Sequence, residues 1–266
     1  MRAIKRLEEE IAQTQVIMLV GGLGKRLGMP EIPKALVKVG GKTLIEREIE
    51  LYRNCGFKDF KLLIGHRGNM IKEYIGDGSK FNVQVKYSED PKVEKVGKGK
   101  ALKHAIETGV IDVNRRGIIT FPDDLKLDKY LPIKLLAHHL YGVEWLNIWA
   151  TVLLISSTTY PYGVARVDSS GLILEFIEKP KISMPTHVGV SIIEPEVYRV
   201  IIDTVDINDP KPVEYESAVL PRLAKEGKLY SMTIPGDDRS IWIPINTRKE
   251  LEIAEEVLEK IESTRH

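Results

Sequence analysis

The sequence predicts an α/β protein, a mostly parallel mixed sheet with helices on both faces, and three observations lead there. Short β-branched apolar runs alternate with stretches of helical periodicity, the pattern of strand–helix–strand units. The first such run, Val16 to Val20, ends in Gly21-Gly22, where a buried strand hands over to a tight loop. The 43% hydrophobic content of 266 residues can fill one sizeable core, and no Pro/Gly/Ser-rich linker or low-complexity segment divides the chain. A single domain over residues 1–266 is expected.

Ile4, Leu7 and Ile11 recur at helical spacing among charges, so the first dozen residues read as an amphipathic surface helix. After the glycine segment, Gly40-Gly41 reads as a turn, and Thr43 with Glu46 forms a capping box for a helix running to about Asn54. A strand at Phe60 to Ile64, a helix from about Gly68 to Tyr74 and a strand at Val83 to Tyr87 follow. Gly97-Lys98-Gly99-Lys100 opens a helix to about Thr108, with Lys98 and Lys100 read as a solvated basic edge. Gly117 to Leu125 reads as a strand ending on Asp123 and Asp124. Then come a helix from Leu131 to Leu140 and a strand at Ile148 to Ile155. Adjacent His138 and His139 point in different directions on that helix and match no usual metal spacing, so they read as surface or packing residues. Tyr162 to Asp168 and Gly171 to Glu178 form two strands around a Ser169-Ser170-Gly171 turn. Val213 to Lys225 and about Arg248 to Ile261 read as the closing helices.

Composition removes several function classes. With 39 basic and 38 acidic residues the formal net charge is +1, so no global field draws the chain to nucleic acid or an anionic membrane. Phosphate binding, if present, is local. Cys55 is the one cysteine, which excludes an internal disulfide and suits a reducing cytoplasm. No apolar run reaches ~18 residues and Met1 to Gln13 is charged throughout, so neither a membrane span nor a leader is expected. The location expected is cytoplasmic.

The chemistry gathers around Val20 to Leu36. Gly21, Gly22 and Gly24 at the end of a strand let backbone N–H groups turn inward on an anion, and Lys25, Arg26 and Lys34 add positive charge within fifteen residues. A polyphosphate is the simplest ligand. A dinucleotide fingerprint would need glycine at position 27, which is Leu27, and a Walker A loop ending at Gly41-Lys42-Thr43 would need glycine at position 36, which is Leu36. Both familiar phosphate loops fail.

The surviving pattern is GGxGxRL at Gly21 to Leu27, then Pro33 to Leu36, then Gly40 to Glu46. It resembles the sugar-phosphate nucleotidyltransferases, or NDP-sugar pyrophosphorylases, and implies their Rossmann-like, nucleotide-diphospho-sugar transferase type of fold. The short interval from Leu27 to Pro33 is similar to that of N-acetylglucosamine-1-phosphate uridylyltransferases and some archaeal-type cytidylyltransferases. The resemblance implies a nucleotide-binding half over 15–140, a sugar-phosphate-binding half over 141–246 and a C-terminal helix over 247–266. The partners it implies are a nucleoside triphosphate and a sugar-1-phosphate, with Mg2+ as cofactor. It leaves no room after Ile261 for the left-handed β-helix domain some relatives append, and leaves a homo-oligomer open.

Residue by residue, the resemblance puts the triphosphate on Gly21, Gly22, Gly24, Lys25 and Arg26, and Lys34 at the α-phosphate. It brings Gly97 and Gly99 near the base. It makes Asp123 a metal ligand, with Asp124 beside it where asparagine is usual. Gly163, Glu178 and Lys179 match the sugar-phosphate contacts, while His187 stands where asparagine is common. Pro244 stands where many relatives carry a second metal-binding aspartate; Asn246, in Ile245-Asn246-Thr247-Arg248, is similar to the asparagine the short-loop relatives use, though a helix cap explains it equally well. Three activities fit: an NDP-sugar-forming enzyme, a regulatory homologue that binds an NDP-sugar without making one, and a cytidylyltransferase acting on a non-sugar alcohol phosphate.

Overall fold

The computed structural model describes residues 2–22, 27–236 and 241–263. The chain opens with α1 (Arg2–Ala12) and β1 (Gln15–Leu19), a strand buried at all five positions. A 3₁₀ turn at Lys34–Leu36 leads to a small ribbon of β2 (Lys38–Val39) and β3 (Lys42–Thr43), then to α2 (Leu44–Asn54). The capping box forms as the sequence implies: Thr43 N–H donates to Glu46 Oε2 at 2.8 Å, and Glu46 N–H to Thr43 Oγ at 3.2 Å. Next come β4 (Asp59–Ile64), α3 (Gly68–Ile75), β5 (Gln84–Glu89), α4 (Gly97–Glu107) and β6 (Gly117–Thr120).

β6 ends at Thr120, five residues short of Leu125, the expected end of the strand. Pro122 can offer no N–H to a ladder, so the chain turns there and restarts as β7 (Asp124–Lys126) in a separate two-stranded piece. After it come α5 (Leu131–Leu146), β8 (Ala150–Ile155), β9 (Thr158–Thr159), β10 (Val164–Val167), β11 (Ile173–Ile177), β12 (Lys181–Ile182) and β13 (Thr186–Ile193). The rest is α6 (Pro195–Thr204), α7 (Tyr215–Ala218), α8 (Leu220–Lys225), β14 (Leu229–Ile234), β15 (Trp242–Pro244) and α9 (Arg248–Ser263). The helix expected over Val213 to Lys225 is thus two short ones. Pro221, near the start of α8, cannot continue the preceding turn.

Seven strands form the main sheet in the order β14-β8-β13-β6-β1-β4-β5. β6, β1, β4 and β5 run parallel, as do β14 and β8; β13 lies between the two sets, antiparallel to β6 and β8. Alternation along β1 sends Val16 and Met18 into one core with α2, α3 and α5, and Ile17 and Leu19 into the other with α4 and α6. A third core, Val37, Leu125, Ile243 and Leu251 among others, fastens the β2–β3 ribbon and the β7–β15 piece to α9.

His139 is packing, as read, but within a polar network, and burial pushes its imidazole pKa down. Fully buried, it meets Thr151 Oγ at Nδ1 and Glu194 Oε1 at Nε2, both at 2.8 Å. Arg116 joins Glu194 to Glu10, which fastens α1 to the sheet. Among the described residues no helix is long and apolar enough to cross a membrane.

Candidate active site

A cleft of about 980 Å3 opens where the chain leaves β1, β5 and β6, the carboxyl-terminal end of the parallel set, as open α/β sheets dispose their ligand sites. Gly21 and Gly22 form part of its lining. Gly22 is tied to the Pro33-Lys34 segment, because Lys34 N–H donates to Gly22 O at 3.2 Å. That bond delivers the Lys34 side chain into the cleft, where its ammonium lies 3.2 Å from Asp123 Oδ2 and 2.9 Å from Asn246 Oδ1. Lys34, Asp123 and Asn246 are therefore one constellation drawn from three remote segments.

Two connections hold Asn246 there. Ile245 N–H donates to Asp123 O at 3.1 Å, continuing the β7–β15 pairing, and the cap of α9 is Thr247 rather than Asn246. Glu250 N–H donates to Thr247 Oγ while Thr247 N–H and Asn246 N–H donate to Glu250 Oε2, which leaves the Asn246 amide free to face Lys34. The oxygens of Asp123 and Asn246 are hard donors that already share one cation, the donor type a divalent ion such as magnesium takes.

Asp124, expected beside the Asp123 metal ligand, lines the cleft next to it but is buried and engaged within the protein, with Lys126 Nζ at 2.5 Å from Oδ1 and Trp242 Nε1–H donating to Oδ2 at 2.5 Å. Lys126 also reaches Glu48 at 3.0 Å, and Glu48 accepts from Thr120 Oγ. Burial pushes the Asp124 carboxyl up to about 6, Glu48 and Asp123 add to the rise, and Lys126 opposes it. This buried network ties β7, β15 and α2 together directly beneath Asp123.

Gly97 lies in the cleft wall at the start of α4, with φ +73. A side chain there would strike the backbone of Val213, and Gly99 N–H donates to Val213 O at 2.8 Å. In this structure both glycines are occupied by close approach of the Val213 segment. Lys98 and Lys100 are not a solvated edge. Lys98 pairs with Glu216 and lies 5.0 Å above the Phe121 ring, whereas Lys100 is fully buried with its ammonium on Lys95 O and Asp209 O at 2.7 and 2.6 Å. His187 lines the cleft beside a bulge of β13, and burial pushes its imidazole pKa down.

Gly163, Glu178 and Lys179 lie outside that lining, on an arm formed by β10 and β11. A Cβ at Gly163 would collide with the Phe176 ring, so glycine lets the arm close on itself. Gly24, Lys25 and Arg26 lie outside the described residues. Sequence reading missed Asp90, Glu216 and Trp242, all in the lining. Asp90 and Glu216 sit in polar stretches that look solvent-facing until the sheet is assembled, whereas Trp242 sits in the apolar run Ile241 to Ile245 and reads as core packing.

A glycine-lined cleft at the end of an open α/β sheet, with a lysine held between a carboxylate and an amide, is the architecture of a nucleotide-handling protein. The chain belongs to the nucleotidyl transferase family, whose model matches residues 15–242. The mannose-1-phosphate guanylyltransferase catalytic subunit beta of Drosophila melanogaster is 26% identical over 246 residues, covering 89% of this chain and 60% of its own. The mannose-1-phosphate guanyltransferase of Saccharomyces cerevisiae is 27% identical over 241 residues, covering 88% and 62%. The chain thus spans about 60% of the length of these curated relatives. A Bacillus anthracis crystal structure, assigned as a glucose-1-phosphate thymidylyltransferase and solved with sucrose, shares the fold with TM-score 0.67 and 24% identity, over 92% of this chain and 94% of that one.

Proposed function

We propose that the chain transfers a nucleotidyl group from a nucleoside triphosphate to a sugar-1-phosphate. The phosphate oxygen of the sugar phosphate attacks the α-phosphorus in line. A new P–O bond forms as the bond to the β-phosphate oxygen breaks, giving an NDP-sugar and pyrophosphate. The nucleophile is already an oxyanion, so no general base is required. The protein has to neutralise repulsion between two anions and hold them aligned.

The observation that carries this reading is the Lys34 ammonium, fixed beside Gly22 between Asp123 and Asn246. Lys34 stabilises charge at the α-phosphate, Arg26 and the glycine loop hold the β- and γ-phosphates, and Lys179 receives the incoming phosphate. Asp123 and Asn246 would hold magnesium, which supplies charge neutralisation to the phosphates of both substrates. On this reading residues 15–140 form the nucleotide half and residues 141–246 the sugar-phosphate half.

The test is pyrophosphate release with magnesium across nucleoside triphosphates and sugar-1-phosphates, beginning with GTP and mannose-1-phosphate, the pair named in the guanylyltransferase relatives. Release with one pair is the expected outcome. NDP-sugar binding with no release from any pair favours the regulatory alternative, for which Pro244, in the cleft opposite Asp124, is the specific observation. Release only with CTP and inositol or choline phosphate identifies the non-sugar cytidylyltransferase.

A further inference from the structure

We infer that the β14 edge of the main sheet pairs with the same edge of a second copy of this chain, joining two sheets into one across a two-fold axis. The main sheet ends in β5 on one side and β14 on the other. An edge strand presents a row of unpaired N–H and C=O groups, and charged side chains, prolines or bulges ordinarily keep foreign strands away from it. On β5 that protection is present. Gln84, Lys86 and Glu89 are exposed, Lys72 of α3 pairs with Glu89 at 2.5 Å, and its ammonium lies 5.9 Å above the Tyr87 ring. On β14 it is missing. Leu229-Tyr230-Ser231-Met232-Thr233-Ile234 carries no charge and no proline, and it pairs with β8 at every position without a bulge.

The groups on the open side follow from the ladder. Trp149 and Ala150 N–H donate to Lys228 O at 2.9 and 3.0 Å, and Ser156 N–H donates to Ile234 O at 2.9 Å, so Lys228, Tyr230, Met232 and Ile234 turn their main chain toward β8. Alternation turns Leu229, Ser231 and Thr233 outward. Among the described residues no acceptor meets the N–H groups of these three. Ser231 O has His138 Nε2 at 3.0 Å, and a carbonyl with two lone pairs keeps one for a further donor.

α5 borders this edge with apolar surface. His138 stacks on Tyr230 with ring centroids 4.8 Å apart, and a Cβ at Gly142 would press on the same ring. Tyr141 and Trp145, three positions on from each, lie along that side of the helix with 54% and 68% of their surface exposed. Their rings are 6.4 Å apart.

A second copy fits this surface by symmetry. Antiparallel pairing of β14 with itself about Ser231 sets Leu229 opposite Thr233, so the outward groups of each copy bond those of the other. A two-fold axis normal to the sheet keeps both α5 helices on one face, where each Tyr141–Trp145 stripe meets its twin. Charge does not oppose the contact, because the chain carries a net +1 and the stripe is bordered by the Arg6–Glu144 pair, 3.0 Å apart, which presents both signs.

Sedimentation equilibrium of the whole chain across micromolar concentrations tests this, with amide hydrogen exchange read on the same samples. The expected mass is that of two chains, with the Leu229, Ser231 and Thr233 amides protected in the dimer and exposed on dilution. Trp145→Glu changes an exposed side chain, and Ser231→Pro removes an outward N–H while sparing the β8 ladder. Each should weaken the dimer roughly hundredfold or more, since the two-fold repeats every loss, with circular dichroism unchanged. Phe176→Ser, on the exposed arm, should leave the mass unaltered. A monomer at every concentration would overturn the assignment and leave the edge to a strand of another protein. So would a dimer that Trp145→Glu does not weaken, or one that Phe176→Ser dissociates.

Discussion

Two lysines carry charge in the proposed transfer, and the molecule holds them in opposite ways. Lys34 has a side chain 12% exposed, with its main chain tied to Gly22 and its ammonium placed between Asp123 and Asn246. Lys179 has a side chain 61% exposed, a left-handed backbone at φ 49, and Glu178 3.9 Å away. The same contrast separates their surroundings. The Lys34 side of the molecule stands on the parallel strands and the buried Asp124–Lys126–Glu48 network, whereas the arm of β10 and β11 has every residue exposed, including Ile173 and Phe176. Charge on the first side is pre-organised by the fold. Charge on the second is organised by whatever binds.

Breaking the network should produce the largest effect. Asp124→Ala strips Lys126 and Trp242 of a buried partner and should destabilise the chain by about 3–5 kcal/mol in urea unfolding; a loss under 1 kcal/mol would mean that the network does not support the Lys34 side. The same residue gives a pH signature. Its folded pKa, about 6, lies above the ordinary 3.8, so the folded chain keeps a proton there that the unfolded chain releases. That contribution is complete below the unfolded value and is lost as pH rises through about 6. The stability of the unmodified chain relative to Asp124→Asn should therefore fall by about 1–3 kcal/mol between pH 4 and pH 6.5 and be level above.

The two lysines should then separate in kinetics. Lys34→Ala should lower turnover by roughly 10²–10³-fold while leaving the melting temperature nearly unchanged. Lys179→Ala should raise KM for the sugar phosphate about tenfold, the upper part of what one exposed charged contact supplies, with KM for the triphosphate unaltered. Equal losses in kcat from both would erase the contrast. The smallest effect belongs to the arm itself. Phe176→Ser, at a residue 63% exposed, should change unfolding free energy by no more than about 0.5 kcal/mol, and a larger loss would show that the arm is part of the folded core.

Much of this architecture could be read locally. The capping box at Thr43 and Glu46 depends on two residues three positions apart, and the turn between β10 and β11 on Asp168, whose carboxylate accepts from Ser170 N–H at 2.9 Å and Leu172 N–H at 3.0 Å. Legibility failed where a proline acted against an apolar pattern, at Pro122 and Pro221, since periodicity registers the side chains and not the missing N–H. It failed also at Asp90 and Asp124. Glu89-Asp90-Pro91 looks like a solvated strand end, and Asp123-Asp124 like a pair sharing one task, until pairing in the sheet turns Asp90 over Gly65 and Asp124 toward Lys126.

By itself the sequence determined the alternating elements, the glycine segment at the end of β1 and the residue types that reach the cleft, because periodicity, capping and turn chemistry are settled among near neighbours. Only the tertiary structure decided which of those residues meet. Lys34 and Asn246 are 212 positions apart and touch because β15 pairs with β7, Ile245 N–H reaches Asp123 O and Gly22 O anchors Lys34. Such contacts follow from strand order and register, which long-range burial selects and no local stretch of sequence encodes.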